Sequence, residues 1–508
     1  MGKRPFSRTR RPSALWIRRA VQWGALVAFV VLLVAARRDG APPSLANFPM
    51  RLDPLTALAH ALAARVLLPG SALALLTLAL TLLFGRAWCG WLCLLGTLLD
   101  TVPSPRSAAR RALPETWRRA KHLLWLTLLV AALLGNLTLL VLDPLTLVIR
   151  TFGAALWPAL ERAVTAAEVA AYALPPLRPA VEAIDRLLRP AIFPVEAPFY
   201  RAPVLYALVL AAVLTLNGLV PRFWCRYLCP LGGLLGLVSK VGLVRREVTS
   251  ACTRCGVCAR ACPTGTVRPD RDYASDPAEC TMCLECQEAC PYDAIRFPAR
   301  PVLAPMEAYD PNRRTALAAL GVAVLGVALF RGDSANRRPL IRPPGARENS
   351  LEARCVRCGL CVRACPTGAI QPALLEGGLE SLWTPVLVPR LGYCDYSCNA
   401  CGQVCPVAAI PPLGLEEKRR AVLGRAYIDR HRCIPWADHH SCIVCEEMCP
   451  VPEKAIVLEE VTVADAAGQP VTVQRPRVVE ERCIGCGICE YKCPVSGEAA
   501  IRVFAVGG

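Results

Sequence analysis

Between Cys252 and Cys290 the motif C-x2-C-x2-C-x3-C-P occurs twice, as Cys252, Cys255, Cys258, Cys262-Pro263 and as Cys280, Cys283, Cys286, Cys290-Pro291. Three closely spaced thiolates can wrap one face of an iron–sulfur cubane. The fourth, held in front of a helix-breaking proline, swings away to a second cubane. Cys252, Cys255, Cys258 and Cys290 are therefore expected to hold one [4Fe-4S] cluster, and Cys280, Cys283, Cys286 and Cys262 its neighbour. Zinc sites use two separated cysteine pairs and have no need of a third close cysteine followed by Cys-Pro.

Four further runs follow. Cys355, Cys358, Cys361, Cys365 and Cys483, Cys486, Cys489, Cys493 repeat the standard spacing. Cys394, Cys398, Cys401, Cys405 has one extra residue in its first gap, and Cys433, Cys442, Cys445, Cys449 an eight-residue gap, IPWADHHS. Longer gaps are compatible with cluster binding because one thiolate can arrive from a loop. Spacing leaves open whether these four runs pair in chain order or nested. Six [4Fe-4S] clusters are expected in all.

The last four of the 28 cysteines form two CxxxC pairs, Cys89 with Cys93 in GRAWCGWLCLLG and Cys225 with Cys229 in PRFWCRYLCPLG. Residues i and i+4 share a helix face, so each pair can offer two sulfurs to one ligand, and the two pairs can converge on one four-sulfur site. A metal, a cluster, a redox disulfide or simple packing of small buried thiols are the alternatives.

Histidines add little. His439 and His440 lie in the eight-residue gap, where four cysteines already complete a ligand set, and read as solvent-facing. His60 and His122 fall near opposite ends of successive apolar runs and cannot share a haem, and no CxxCH occurs, so no haem is expected.

The elements that position these cysteines divide the 508 residues into a hybrid. A mean hydropathy of +0.38 and 54% hydrophobic residues are too apolar for an ordinary soluble protein, and 28 cysteines too many for a plain membrane bundle. Apolar runs at Ala20–Ala36, Val66–Phe84, Leu123–Leu142 and Val204–Val220 predict four membrane spans. Basic residues flank them: the N-terminal stretch, then Arg106, Arg110, Arg111, Arg118, Arg119 and Lys121, then Arg222, Arg226, Lys240, Arg245 and Arg246. That positive-inside pattern puts these regions in the cytoplasm and explains the net charge of +18 without nucleic acid. The first span reads as an uncleaved anchor, since Arg37-Arg38 follow it. The connection from Asp143 to Pro203 reads as a helical cap outside the membrane. Thr315–Phe330 behind Arg313-Arg314 reads as a fifth anchor with a twin-arginine export signal, which would carry a folded cluster domain across.

The expected fold is therefore mixed: an α-helical membrane bundle of four spans plus a fifth anchor, joined to α+β bacterial ferredoxin-like [4Fe-4S] domains. Its divisions are 1–246 (membrane domain with both CxxxC motifs), 247–300 (two-cluster domain), 301–350 (anchor and linker) and 351–508 (four-cluster domain).

The apolar runs with CGWLC and CRYLCP, followed by the double run at 252–290, resemble the NapH-type membrane subunit of quinol dehydrogenases and related polyferredoxins. The rest, from NRRTALAAL through LIRPPGARENSLEARCVRCGLCVRACP, resembles the NapG/MauM-type four-cluster ferredoxin, as if two subunits were fused. Leu94 stands where that pattern has proline after Cys93. The resemblance implies an inner-membrane, multi-pass quinol-dehydrogenase component. Its first ferredoxin domain would be cytoplasmic and its last periplasmic, with electrons passing from the quinol pool to a periplasmic reductase or cytochrome. Membrane lipid, quinol and that redox partner are the expected partners. A cupric reductase or cofactor-assembly polyferredoxin and a regulatory scaffold are the alternatives; thiolates favour Cu(I).

Overall fold

In the computed structural model, residues 14–36, 43–102, 113–189, 192, 198–299, 313–332, 339–464 and 469–506 are described. Residues 1–13 of the basic N-terminal stretch, Arg37-Arg38, Arg106, Arg110 and Arg111, and the linkers at 300–312 and 333–338 lie outside them.

A layer of helices occupies the first half of the chain: Ala14–Ala35, Pro54–Ala64, Leu73–Phe84, Leu94–Thr101, Arg119–Leu133, Pro144–Thr151, Trp157–Tyr172, Pro203–Leu219 and Pro230–Ser239. Two of these helices start alike. Asp53 accepts from the Leu55 amide and Asp143 from the Leu145 and Thr146 amides, each ahead of a proline at the first helical position. Both devices favour helix initiation, one by satisfying an orphan N–H and the other by needing none.

The four-span bundle with a fifth anchor is not what these segments form. Among the described residues only Ala14–Ala35, at 22 residues, is long and apolar enough to cross a membrane. The run at 66–84 opens with a 3-10 turn, Pro69–Ala72, and its helix stops at Gly85, whose φ of 62° ends the helical path. The run at 123–142 breaks after Leu133, where Gly135 turns with φ 81° and Asn136 caps the Thr138 amide before a second 3-10 turn. Pro203–Leu219 has 17 residues, and the apolar part of Arg313–Gly332 only 14, Ala316–Leu329. A bilayer core needs about 20 helical residues. The small side chains Ala319, Ala323 and Val327 are buried, and helix Arg313–Gly332 packs on Arg119–Leu133. The multi-pass localisation falls with the spans.

The first cysteine-rich unit is built from two antiparallel pairs, Glu247–Val248 with Ile295–Arg296 and Val267–Arg268 with Ala274–Ser275, and the short helices Val257–Ala261 and Glu285–Glu288. The second contains Ile370–Pro372 with Pro385–Leu387, Arg425–Ile428 with Ile501–Phe504, and the nine-residue hairpin Ile456–Ala464 with Pro470–Val478. This is α+β, with cysteines occupying much of each core: Cys258 and Cys286 in the first unit, Cys355, Cys365, Cys401, Cys483 and Cys489 in the second.

The two units sit at opposite ends of helix Arg119–Leu133, whose 15 residues rise roughly 22 Å. At its start, Lys121 and Arg118 pair with Glu279 of the first unit. Just beyond its end, Asn136 donates to Glu380 of the second, and Arg357 donates to Thr138 at 3.1 Å. A buried ion pair, Arg363 with Glu161 at 3.3 Å, and hydrogen bonds joining Gln371 to Phe199 and Arg201 complete that second contact.

Candidate iron–sulfur centres

Cysteine grouping follows from which loops close on one another. Cys252, Cys255, Cys258 and Cys290 line one hollow of about 340 Å³ with Arg246, Tyr273 and Ile295. Cys262 lies within electrostatic reach of Cys280, Cys283 and Cys286. Each trio thus receives its fourth sulfur from the other run.

The same exchange orders the second unit. Cys355, Cys358 and Cys361 share a hollow of about 400 Å³ with Cys405. Cys394, Cys398 and Cys401 each lie close to Cys365. Cys433, Cys442 and Cys445 share about 370 Å³ with Cys493, and Cys483, Cys486 and Cys489 share about 330 Å³ with Cys449. The four runs therefore pair in chain order, first with second and third with fourth.

Backbone conformation marks the four standard runs in a way that side-chain spacing does not. In each, the residue before the second cysteine and the residue after it are left-handed: Arg254 and Gly256, Met282 and Leu284, Arg357 and Gly359, Gly485 and Gly487. For a non-glycine residue this costs on the order of 1–2 kcal/mol. The alternation curls successive amides into a concave nest that suits an anion. Sulfurs also receive donors: the Arg357 amide reaches Cys355 Sγ at 3.4 Å, the Ala426 amide Cys483 Sγ at 3.4 Å, and Arg246 Nε Cys286 Sγ at 3.3 Å.

Burial pushes five of the thiols up, Cys433 and Cys486 to about 11 and Cys280, Cys394 and Cys445 to about 12. Thiolates in such hollows need a cationic partner, and metal binding displaces the protons. Among the described residues no three His, Cys, Asp or Glu side chains are close enough together to hold a single metal ion. Nests, apolar hollows and four sulfurs spread around each hollow fit a cubane and do not fit tetrahedral zinc.

His440 Nδ1 engages the Asp438 carbonyl at 2.7 Å, and His439 Nδ1 faces Arg475 at 3.3 Å. His60 and His122 are set at opposite ends of the helical layer, the first near Arg354 and the second near Lys121 and Glu279. Burial holds both imidazoles down to about 4.

The structure also brings Cys89, Cys93, Cys225 and Cys229 together, all buried and each within reach of others of the set. Around them lie Arg222, one of the basic cluster that follows the fourth apolar run, and Arg86, which belongs to none of those clusters. Arg222 forms a two-point contact with Asp100 (2.9 and 2.6 Å) and donates to the Cys89 carbonyl at 3.2 Å. Arg86 donates to the Ala278 carbonyl at 2.7 Å and lies 3.7 Å from Glu279. A repeated signal was available: in both halves an arginine stands three residues before the first cysteine, Arg86 before Cys89 and Arg222 before Cys225.

Six thiolate quartets on two α+β units define an iron–sulfur electron-transfer protein of ferredoxin type. Known proteins agree. A 4Fe-4S binding domain model matches residues 66–111 and 202–250, a second matches 351–371 and 476–496, and a 4Fe-4S dicluster domain model matches 251–294. The methylamine utilization ferredoxin-type protein MauM of Methylorubrum extorquens is 37% identical over 205 residues, 38% of this chain and 89% of that protein. MauM of Paracoccus denitrificans is 39% identical over 38% of this chain and 87% of its own length. The ferredoxin-type protein NapG of Escherichia coli is 36% identical over 36% of this chain and 79% of its own length. The chain belongs to this MauM/NapG family of ferredoxin-type 4Fe-4S proteins. The other half of the resemblance, a fused NapH-type membrane subunit, is corrected: these relatives are ferredoxin-type proteins, and the one span-length helix among the described residues does not make a multi-span subunit.

Proposed function

We propose that the chain is an electron conduit with six [4Fe-4S] clusters, taking electrons from a quinol and delivering them to a soluble redox protein. One-electron storage is what the clusters supply when bound. The chain's own residues set the order of the sites. The observation that carries this reading is the interlocking of the four-cluster unit, in which every quartet borrows a sulfur from its neighbour. In addition, the Cys394 amide donates to the Cys486 carbonyl at 2.8 Å. The series therefore runs from Cys355/Cys358/Cys361/Cys405 through Cys394/Cys398/Cys401/Cys365 and Cys483/Cys486/Cys489/Cys449 to Cys433/Cys442/Cys445/Cys493. Helix Ala14–Ala35 exposes Trp23, Val27 and Val31, one apolar face for lipid where a quinol would be met. Anaerobic titration of the full chain with a short-chain menaquinol or ubiquinol, followed by EPR, tests the donor. Reduction of clusters is expected. Clusters that reduce with dithionite but never with quinol would remove quinol from the account.

A further inference from the structure

We propose that Arg150 of the helical layer, together with Arg357, makes the centre held by Cys355, Cys358, Cys361 and Cys405 the most easily reduced of the four in the second cysteine-rich unit. The inference rests on the cluster reading above and adds to it the place where an electron entering that unit comes to rest.

Arg150 sits in the last turn of helix Pro144–Thr151 and is 5% exposed. Its stem lies on the turn between Cys358 and Cys361, where a Cβ on Gly359 would meet Arg150 Cγ at 3.6 Å and Cα at 3.7 Å. Its guanidinium carbon is 3.9 Å from the centre of the Trp383 ring and 5.3 Å from that of Tyr206, and the two rings meet edge to face at 5.2 Å. Trp383 lines the Cys355 hollow with a left-handed backbone, φ 62°. A bulky residue holds that conformation only where its surroundings impose it. Arg150 is thus fixed against the hollow from the helical layer, and the fully buried Arg357 stands within the cysteine run itself.

Both cations are held by neutral groups. Arg150 donates to the carbonyls of Arg357 and Val141, each at 3.2 Å. Arg357 donates to the carbonyls of Leu382, Cys355 and Glu380 and to the Thr138 hydroxyl, at between 2.7 and 3.1 Å. The buried acids that Arg357 feels are engaged elsewhere, Glu352 by Ser381 and Glu380 by Asn136 and Arg331. A buried cation without a counter-ion is stabilised when its neighbour gains an electron, so it shifts that neighbour's equilibrium toward the reduced form, most strongly where water is excluded.

The other quartets of the unit have less of this charge. The buried Lys418, bound to the Asp395 carbonyl, is shared between Cys394 and Cys486 of the next two quartets in the series, and the half-buried Arg425 donates to the Cys483 carbonyl. Burial aside, Cys433 and Cys445 of the last quartet are shifted by other cysteines and by backbone amides. The influence of buried cations therefore falls from the helical layer outward. Each electron resting at the Cys355 quartet is one lost by the donor, and passing it on oxidises that site as the Cys394 quartet's is reduced.

An EPR-monitored redox titration of the full chain tests this. Cys358→Ser, Cys398→Ser, Cys445→Ser and Cys486→Ser each remove one centre and so assign its signal. The signal lost in Cys358→Ser is expected to have the highest midpoint of the four. Arg150→Gln should lower that midpoint alone, so that at a fixed potential the ratio of reduced to oxidised centre falls at least about tenfold, about 59 mV for one electron. A midpoint unmoved by Arg150→Gln, or another of the four reduced first in the wild type, would overturn the proposal. The wild-type ranking decides even if Arg150→Gln does not fold. A wild type without reducible centres would overturn the conduit itself, and this tuning with it.

Discussion

The amide of Cys394 donates to the carbonyl of Cys486 at 2.8 Å, a main-chain bond between the second and fourth runs of the C-terminal unit. It ties together two halves that each close on themselves by exchanging a fourth cysteine. Cluster order in this unit therefore rests on backbone contact as well as on ligand choice.

Exchange of the fourth cysteine makes a prediction about double mutants. Cys358→Ser and Cys405→Ser line the same hollow, so the pair together removes only the one cluster that either removes alone. Cys358→Ser with Cys365→Ser removes two. Spin counts after full reduction distinguish these outcomes, and additivity in the first pair would refute cross-run ligation.

Docking of the second cysteine-rich unit depends on an ion pair hidden from water. Arg363 and Glu161 are 1% and 2% exposed. Glu161→Gln leaves a buried guanidinium without its counter-charge, a loss of about 3–5 kcal/mol. Chemical denaturation is expected to show it. Replacing both partners by leucine and methionine should restore most of it, since the burial cost of two charges disappears with them.

Contact between the first CxxxC turn and the first cysteine-rich unit is backbone against backbone. A Cβ at Gly90 would sit 2.1 Å from the Thr281 carbonyl. Gly90→Ala must therefore push the Cys280–Cys283 loop away. Weakened magnetic interaction between reduced clusters in Gly90→Ala, read by EPR at unchanged iron content, is the expected signature; an unaltered spectrum contradicts the contact.

A pH effect follows from Asp53 and Asp143. Both are fully buried, and Asp53 Oδ2 and Asp143 Oδ1 have no donor among the described residues, while their other oxygens cap helices. Burial pushes Asp53 up to about 6, and burial together with the Asp53 charge raises Asp143 well above the carboxylate range. A proton shared between the two would satisfy both orphan oxygens. Because the folded-state pKa is raised, the pair's stabilising contribution is complete below the unfolded value of about 3.9 and fades as pH rises through about 6. Asp53→Asn keeps the cap and removes the Asp53 titration, and with it the Asp53 charge that helps raise Asp143. The variant's stability relative to wild type should grow between about pH 4 and about pH 6; parallel curves would show that Asp53 does not titrate there.

Some of this was legible in residues alone and some was not, for reasons that differ. With two runs in 252–290, only one exchange of fourth cysteines is available. With four runs in 355–493 several are, and chain order emerges only from how loops such as 433–442 fold back. The apolar runs misled because composition does not separate a helix that faces lipid from one that packs on a neighbour, and the breaks at Pro69, Gly135 and Asn136 cost more helix than hydropathy alone shows. Arg118, Lys121 and Arg222 read as a membrane flank because charge counting ignores partners far away in the chain. Glu279 and Asp100 are those partners. The left-handed Arg254, Met282, Leu284 and Arg357 are invisible to propensity, since nothing in their side chains asks for that conformation.

Iron and acid-labile sulfide counted on the anaerobically purified full chain, with EPR during stepwise reduction, test the central claim most directly. Equal iron and sulfide, at least about 24 of each per chain, with signals of reduced [4Fe-4S] centres appearing one electron at a time, is the predicted result. A chain that carries zinc, or no metal, and shows no reducible centre would contradict it.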